Sequence, residues 1–304
     1  MNTLVSGASG LIGTALTARL EAEGHPVVRL VRGSAARSTG ATVSWDPDAG
    51  TIDQGALERS GPFDAVVHLA GAGIGDKRWS PARKQVILES RTRSTELLVG
   101  AVLALSPRPP VLVSASAVGY YGIRGDEELT EESAPGSDFL AEVCTAWEAA
   151  AAPAAAAGIR TVNLRTGIVL SPSGGALGKQ LPLFRIGVGG RMGSGRQYRS
   201  WITLEDEVGV ILHCITDEGL SGPVNATAPS PATDGELAKA LGAALRRPTV
   251  VAVPAAALRL VLGTEMAEEL VLGGQRVLPT VLATRGYQFA HATLDEGVRS
   301  VLAP

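Results

Sequence analysis

Thr3-Leu4-Val5-Ser6-Gly7-Ala8-Ser9-Gly10-Leu11-Ile12-Gly13 is the stretch on which the fold turns. A short strand-forming run, Thr3 to Ser6, enters a turn with glycines at 7, 10 and 13, and a helical pattern follows over 11–23. Glycine spacing alone is weak evidence; strand, turn and helix in this order give it weight. Gly7 permits the tight turn, Gly10 lets the backbone approach a pyrophosphate, and Gly13 lets the helix pack close to the strand. The helix start then offers unpaired N–H groups and a positive dipole end to phosphates. Ser9, Leu11 and Ile12 belong to the same turn and are expected to line the dinucleotide with the glycines.

Outward from this turn, apolar runs alternate with helical stretches. Strands are expected at 26–31, 42–45, 65–69, 111–114 and 160–165, and helices at 80–105 and 138–157, with a kink or break at Pro153. This alternation predicts an α/β fold, a doubly wound parallel (Rossmann) sheet of about six or seven strands with its ligand crevice at their carboxyl ends. Residues 1–170 read as the dinucleotide-binding domain, to which some later segments return. Residues 171–304 read as a smaller substrate lobe, opening on the glycine-rich stretch 171–197 and mostly helical from about 250.

In NAD binders an acidic residue roughly 20 positions beyond the turn takes the ribose 2′-hydroxyl. Here the second strand, VVRLVR, ends instead in Arg32, with Arg37 beyond it. A guanidinium there favours a 2′-phosphate, so NADP is expected over NAD.

Composition narrows the function further. Lys and Arg number 27 against 30 Asp and Glu, a net charge of −3, and aromatics are 4%. Neither a basic stripe nor a stacking surface for nucleic acid follows from that. No apolar run of roughly 18 residues is present to span a membrane, and no signal-peptide pattern opens the chain. The two cysteines, Cys144 and Cys214, read as free thiols of a cytoplasmic protein. The four histidines have no metal-ligand spacing, and no GxSxG elbow supplies a hydrolase nucleophile. A small-molecule substrate is expected, on a monomer or a homodimer.

Several stretches now resemble the extended short-chain dehydrogenase/reductases: 7–13, DAVVHLAGAG at 64–73, VLVSASAVGYYG at 111–122 and NLRTGIVL at 163–170. DFLAEVCTAWE, SWITLEDEV, GPVNATAP and GQRVLP narrow the likeness to an atypical, NAD-dependent-epimerase-like branch that ends in a small C-terminal domain of unknown function. The resemblance covers nearly the whole chain. It implies a Rossmann core and a C-terminal substrate lobe. It also implies that Leu69, Ala70 and Gly71 pass over the cofactor, with Ser114, Thr166 and Gly167 around it.

The chain departs from that family where its chemistry is done. Extended reductases pair a serine with a tyrosine and a lysine four residues apart on one helix; the lysine lowers the tyrosine's pKa so that it can exchange a proton. Aligned along the strand VLVS, the serine falls on Ser116; counted back from Tyr121-Gly122 it falls on Ala117, and the strand is the better guide because insertions belong in loops. The tyrosine and lysine positions hold Leu140 and Cys144, which can do neither job. Two accounts follow. In one, an NADP-dependent reductase, epimerase or dehydratase uses Ser116 with Tyr121 (or Tyr120) as proton donor, a cation coming from Arg91 or Lys179, and Asp138 and Glu142 as second-choice acids. In the other, the protein binds NADP without turnover as a regulator or scaffold, in the manner of cell-division-associated relatives. Arg165, Lys179 and Trp201 are candidate substrate contacts, Trp201 being equally suited to filling the core. Asp206 reads as a helix cap, and His68 as a hydrogen-bonded core histidine.

Overall fold

The structure, a computed structural model, describes residues 1–33 and 41–303. Strand β1 (Thr3–Ser6) enters the glycine turn and helix α1 (Leu11–Ala22). β2 (Val27–Arg32), β3 (Thr42–Asp46) and the two-residue β4 (Thr51–Ile52) follow, then α2 (Gln54–Ser60), β5 (Ala65–His68) and α3 (Pro81–Leu103). β6 (Val111–Ala117) runs into a 3₁₀ turn at Val118–Tyr121, then β7 (Glu128–Leu129), α4 (Phe139–Ala156) and β8 (Arg160–Thr166).

These strands other than β7 build one eight-stranded sheet with β12 (Gly222–Ala226), in the order β12-β8-β6-β5-β1-β2-β3-β4. Every neighbouring pair is parallel except β3 with β4. The chain reverses direction across the sheet between β1 and β5, and the crevice at such a switch point is where doubly wound folds take ligands. Both margins are blunt. β4 is two residues long, and β12 carries Pro223 opposite Asn163.

Alternation along the strands sends side chains to two helical layers. Val5, Val67, Val113 and Val162 pack with Leu16 and Leu20 of α1 and with Ile211 of α6 (Leu204–Thr216). Leu4, Val66 and Leu112 pack on the other face with Leu57 of α2, Leu98 and Val102 of α3 and Ala154 of α4. Helix α4 runs unbroken through Pro153 to Ala156, so the expected kink or break does not end it there. Pro153 falls in the last turn, where its missing N–H removes a single bond.

The remaining elements form smaller sheets and a third core after β8. β9 (Ile168–Leu170) pairs with β11 (Trp201–Thr203), and β10 (Tyr198–Arg199) with β13 (Ala232–Thr233). α5 (Gly175–Arg185), α7 (Asp234–Leu245) and α11 (Leu294–Leu302) close a third core around Trp201. α8 (Ala255–Leu262), α9 (Thr264–Ala267) and a π-helical turn (Glu268–Leu272) lead to β14 (Arg276–Val277), which pairs with β7, and to α10 (Thr280–Thr284). Among the described residues no helix is long and apolar enough to cross a membrane.

Candidate functional site

The glycine turn is built as its sequence demands. Gly7 sits at φ +68°, and a Cβ on it would lie 2.7 Å from the Leu69 carbonyl carbon. A Cβ on Gly13 would lie 2.2 Å from the Gly7 oxygen, so α1 can dock on the turn only with glycine there. The Gly10 N–H donates to the Gly7 oxygen at 3.0 Å, and Gly10 caps the helix with no side chain. This helix start is unlike most others in the molecule: α2, α3, α4, α6, α7 and α11 are capped by Asp53, Ser80, Asp138, Thr203, Thr233 and Thr293. α1 has neither a capping side chain nor an acid in its first turn. Its orphan N–H groups and dipole end therefore face the crevice uncompensated, beside exposed Ser9 and Gly10. Leu69 and Ala70 press against Gly7, and Gly71 lies beyond them. Arg32 stands exposed at the end of β2; Arg37 lies outside the described residues.

Polar side chains line the rim of the neighbouring strands. His68 is fully buried, its Nδ1 2.6 Å from Ser6 Oγ and its Nε2 2.9 Å from Thr95 Oγ1, and burial pushes it down to about 3. It is a neutral core histidine. Ser114, the next residue across the sheet, is fully buried with its Oγ unpartnered among the described residues. Two positions further on, Ser116 donates its proton to Glu148 Oε1 at 2.7 Å. Glu148 is in turn gripped by Arg165, Nε to Oε1 at 2.8 Å and Nη2 to Oε2 at 2.9 Å. This charge-assisted fork fixes the carboxylate that fixes the serine.

Tyr121 is where the sequence reading requires correction. The 3₁₀ turn drives it inward until none of its surface is exposed. Its hydroxyl donates to Asn225 Oδ1 at 2.7 Å and accepts from Arg165 Nη1 at 3.0 Å. Burial pushes it up to about 12, with Arg165 pulling the other way. A sealed hydroxyl with both partners made keeps its proton on Asn225, out of a substrate's reach. Tyr120 is half-buried, with the Arg165 guanidinium stacked 3.4 Å from its ring centre.

Two other expected contacts are also internal. Trp201 is fully buried, its Nε1 donating to the Ser230 carbonyl at 2.9 Å, and so fills the core. Arg165 is 3% exposed and committed to Glu148, Tyr120 and Tyr121, which leaves it no reach to a substrate. Lys179, exposed on α5, bonds the Gly75 carbonyl at 3.1 Å and Asp76 at 3.2 Å, tying α5 to the loop after β5. Asp138 is the α4 cap, taking the N–H of Ala141 at 3.0 Å and of Ile123 at 3.1 Å, while Glu142 is exposed in the first turn of α4. Leu140 and Cys144 are both buried against Gly119, and burial pushes the Cys144 thiol up to about 12.

Thr166 ends β8 and Gly167 follows it, beside a residue that the sequence reading missed. Glu207 of α6 is fully buried; its Oε1 accepts from the Thr166 hydroxyl at 2.8 Å, and its Oε2 has no partner among the described residues. Desolvation pushes it up to about 8. The signal was present, because Glu207 shares a helical stripe with Val210, Ile211 and Cys214, all buried. Glu148 was equally legible, four residues beyond Cys144 on one helix face. Among the described residues no cluster of His, Cys, Asp and Glu is arranged to hold a metal ion.

Comparison with known proteins gives this geometry its relatives. The profile of the NAD dependent epimerase/dehydratase family matches residues 3–226, and that of a domain of unknown function, DUF1731, matches 253–301. An epimerase family protein of Mycobacterium bovis is 46% identical over 294 residues, covering 97% of this chain and 95% of its own. The crystal structure of the human epimerase family protein SDR39U1 (isoform 2) with NADPH superposes with a TM-score of 0.88 at 34% identity, over 99% of both chains. A nucleoside-diphosphate sugar epimerase from Corynebacterium glutamicum superposes at 0.79 with 35% identity, over 99% of this chain and 58% of the other.

Proposed function

This chain belongs to the NAD dependent epimerase/dehydratase family, and from that premise we propose that it binds NADP in the crevice at the carboxyl ends of β1 and β5 and acts on a small carbonyl or hydroxyl substrate without a Tyr–Lys pair. The observation that carries the reading is the α1 start, a glycine cradle whose helix N-terminus has no side-chain cap where α3, α4 and α6 each have one. That donor set suits a diphosphate. The human relative at 34% identity holds NADPH, and Arg32 stands at the strand end where a 2′-phosphate would be met. When bound, such a dinucleotide exchanges a hydride with a carbonyl or carbinol carbon.

The chain's own contribution to that exchange is orientation. Ser116, 3% exposed at the end of β6, has one proton and gives it to Glu148, so only its lone pairs are left for a ligand that reaches it. It is thereby suited to receive the O–H of a substrate alcohol and hold it in line. Reduction, epimerisation and dehydration all require such a held oxygen.

Calorimetric titration with NADPH, NADP, NADH and NAD tests the proposal. Tight binding selective for the 2′-phosphorylated pair is expected, and Arg32→Ala should cost about tenfold or more in NADPH affinity with little change for NADH. Equal losses for both would remove the 2′-phosphate contact, and binding of none of the four would overturn the cofactor reading.

A further inference from the structure

Helix α4 lacks the cation that this chemistry ordinarily places there, but a cation reaches the same spot from α3. Arg91 bonds through Nη1 to the Ala72 carbonyl and to the Ile87 carbonyl, both at 3.0 Å. Its guanidinium carbon lies 4.9 Å from the centre of the Trp147 ring on α4. A Cβ on Gly71 would come within 3.2 Å of that carbon, so the bare backbone of Gly71 is what admits the guanidinium. The Ala72 N–H donates to Ser90 Oγ at 3.1 Å, which pins this segment to α3 one residue before Arg91. The charge also acts on the Cys144 thiol, around which Glu148, Ser116 and the Ala117 backbone gather. Arg91 therefore stands among Gly71, Trp147 and Cys144, beside the segment that follows β5. Its Nε and Nη2 have no protein acceptor among the described residues and retain solvent contact.

We infer that Arg91 is a ligand-binding residue: its free Nε–H and Nη2–H donors take hydroxyl or anionic oxygens on the nicotinamide-ribose half of the dinucleotide as it passes Leu69–Gly71. The inference rests on the cofactor reading above. A planar fork fixed by Trp147 and two carbonyls is preorganised for two oxygens side by side, such as the vicinal hydroxyls of a ribose. An arginine there differs from a lysine in one respect: it supplies a permanent charge but no exchangeable proton at neutral pH. It binds and orients; it does not relay.

The test compares two probes that share the adenosine end. NADPH carries the nicotinamide ribose, and adenosine 2′,5′-bisphosphate lacks it. Arg91→Met should weaken NADPH by about tenfold or more while leaving the bisphosphate within about twofold, and Arg91→Lys, which keeps the charge, should restore part of the loss. Melting temperatures establish that the variants are folded. Should Arg91→Met not fold, Arg91→Gln carries the comparison with the same expectation. Unchanged NADPH affinity, or parallel losses for both probes, would overturn the Arg91 assignment alone. Wild-type protein that bound neither probe would overturn the cofactor reading, and this inference with it.

Discussion

Glu207 lies in the core with one oxygen bonded and one bare, an arrangement that disfavours its charged form. Its carboxyl ordinarily titrates at 4.5 and is pushed up to about 8 here by burial. The folded chain thus holds a proton that the unfolded chain has released, and stability contributed at this site falls as pH rises from about 4.5 to about 8. Glu207→Gln removes the titration. Relative to wild type, its stability in denaturant titrations should climb across that window and level off above it, with a gain on the order of 2 kcal/mol at pH 9. A difference that stayed flat with pH would show that Glu207 is charged in the fold. Tyr121 marks where residue-level reading ran out. Its neighbour in sequence, Ser116, suggested a role, but its partner Asn225 lies 104 positions away, and nothing local announces that bond.

At the scale of elements, the glycine turn was legible because each glycine answers a steric demand confined to eleven consecutive residues and the strand beside them. The loss of the Tyr–Lys pair from α4 was legible too, because it follows from residue identity at fixed helical spacing. Arg91 and Glu148 were legible only as candidates, since the contacts that place them, Arg91 with the Ala72 carbonyl and Glu148 with Arg165, join separate elements. The start of α4 makes the same point. Asp138 caps the helix and also holds the Ile123 N–H of the turn carrying Tyr121, so one carboxylate aligns two elements. Asp138→Ala should cost about 1–2 kcal/mol in thermal or chemical unfolding, and Asp138→Asn, which keeps an acceptor, distinctly less. Losses of equal size would put the effect on charge rather than capping.

Over the whole molecule, the C-terminal segment is sewn to the sheet by core side chains reaching its backbone. Asp206 takes the N–H of Ala290 at 2.7 Å and of His291 at 3.1 Å. Glu131 takes the N–H of Val281 at 3.2 Å, and Asn225 Nδ2 donates to the Leu278 carbonyl at 2.9 Å. Arg199, paired with Asp234 at 3.1 Å, reaches the carbonyls of Leu270, Val271 and Gly273. Such bonds between distant segments couple their unfolding. Asp206→Ala should lower overall stability by about 2–4 kcal/mol, and amide exchange at 287–291 should speed up together with the global transition rather than ahead of it. Early, isolated release of that segment would show two independent units. The glycine-rich and helical composition beyond 171 disclosed a change of architecture but none of these stitches, because each joins residues dozens of positions apart.

The blunt margins of the main sheet carry a consequence for how the molecule meets its own copies. A strand docking on β4 would find a two-residue ledge, and one docking on β12 would find a proline in a five-residue strand. Sheets closed in this way resist strand-by-strand growth into fibres or swapped ladders. Crowded solutions should therefore leave this protein's β-structure content constant, and its self-association falls to helical faces and loops.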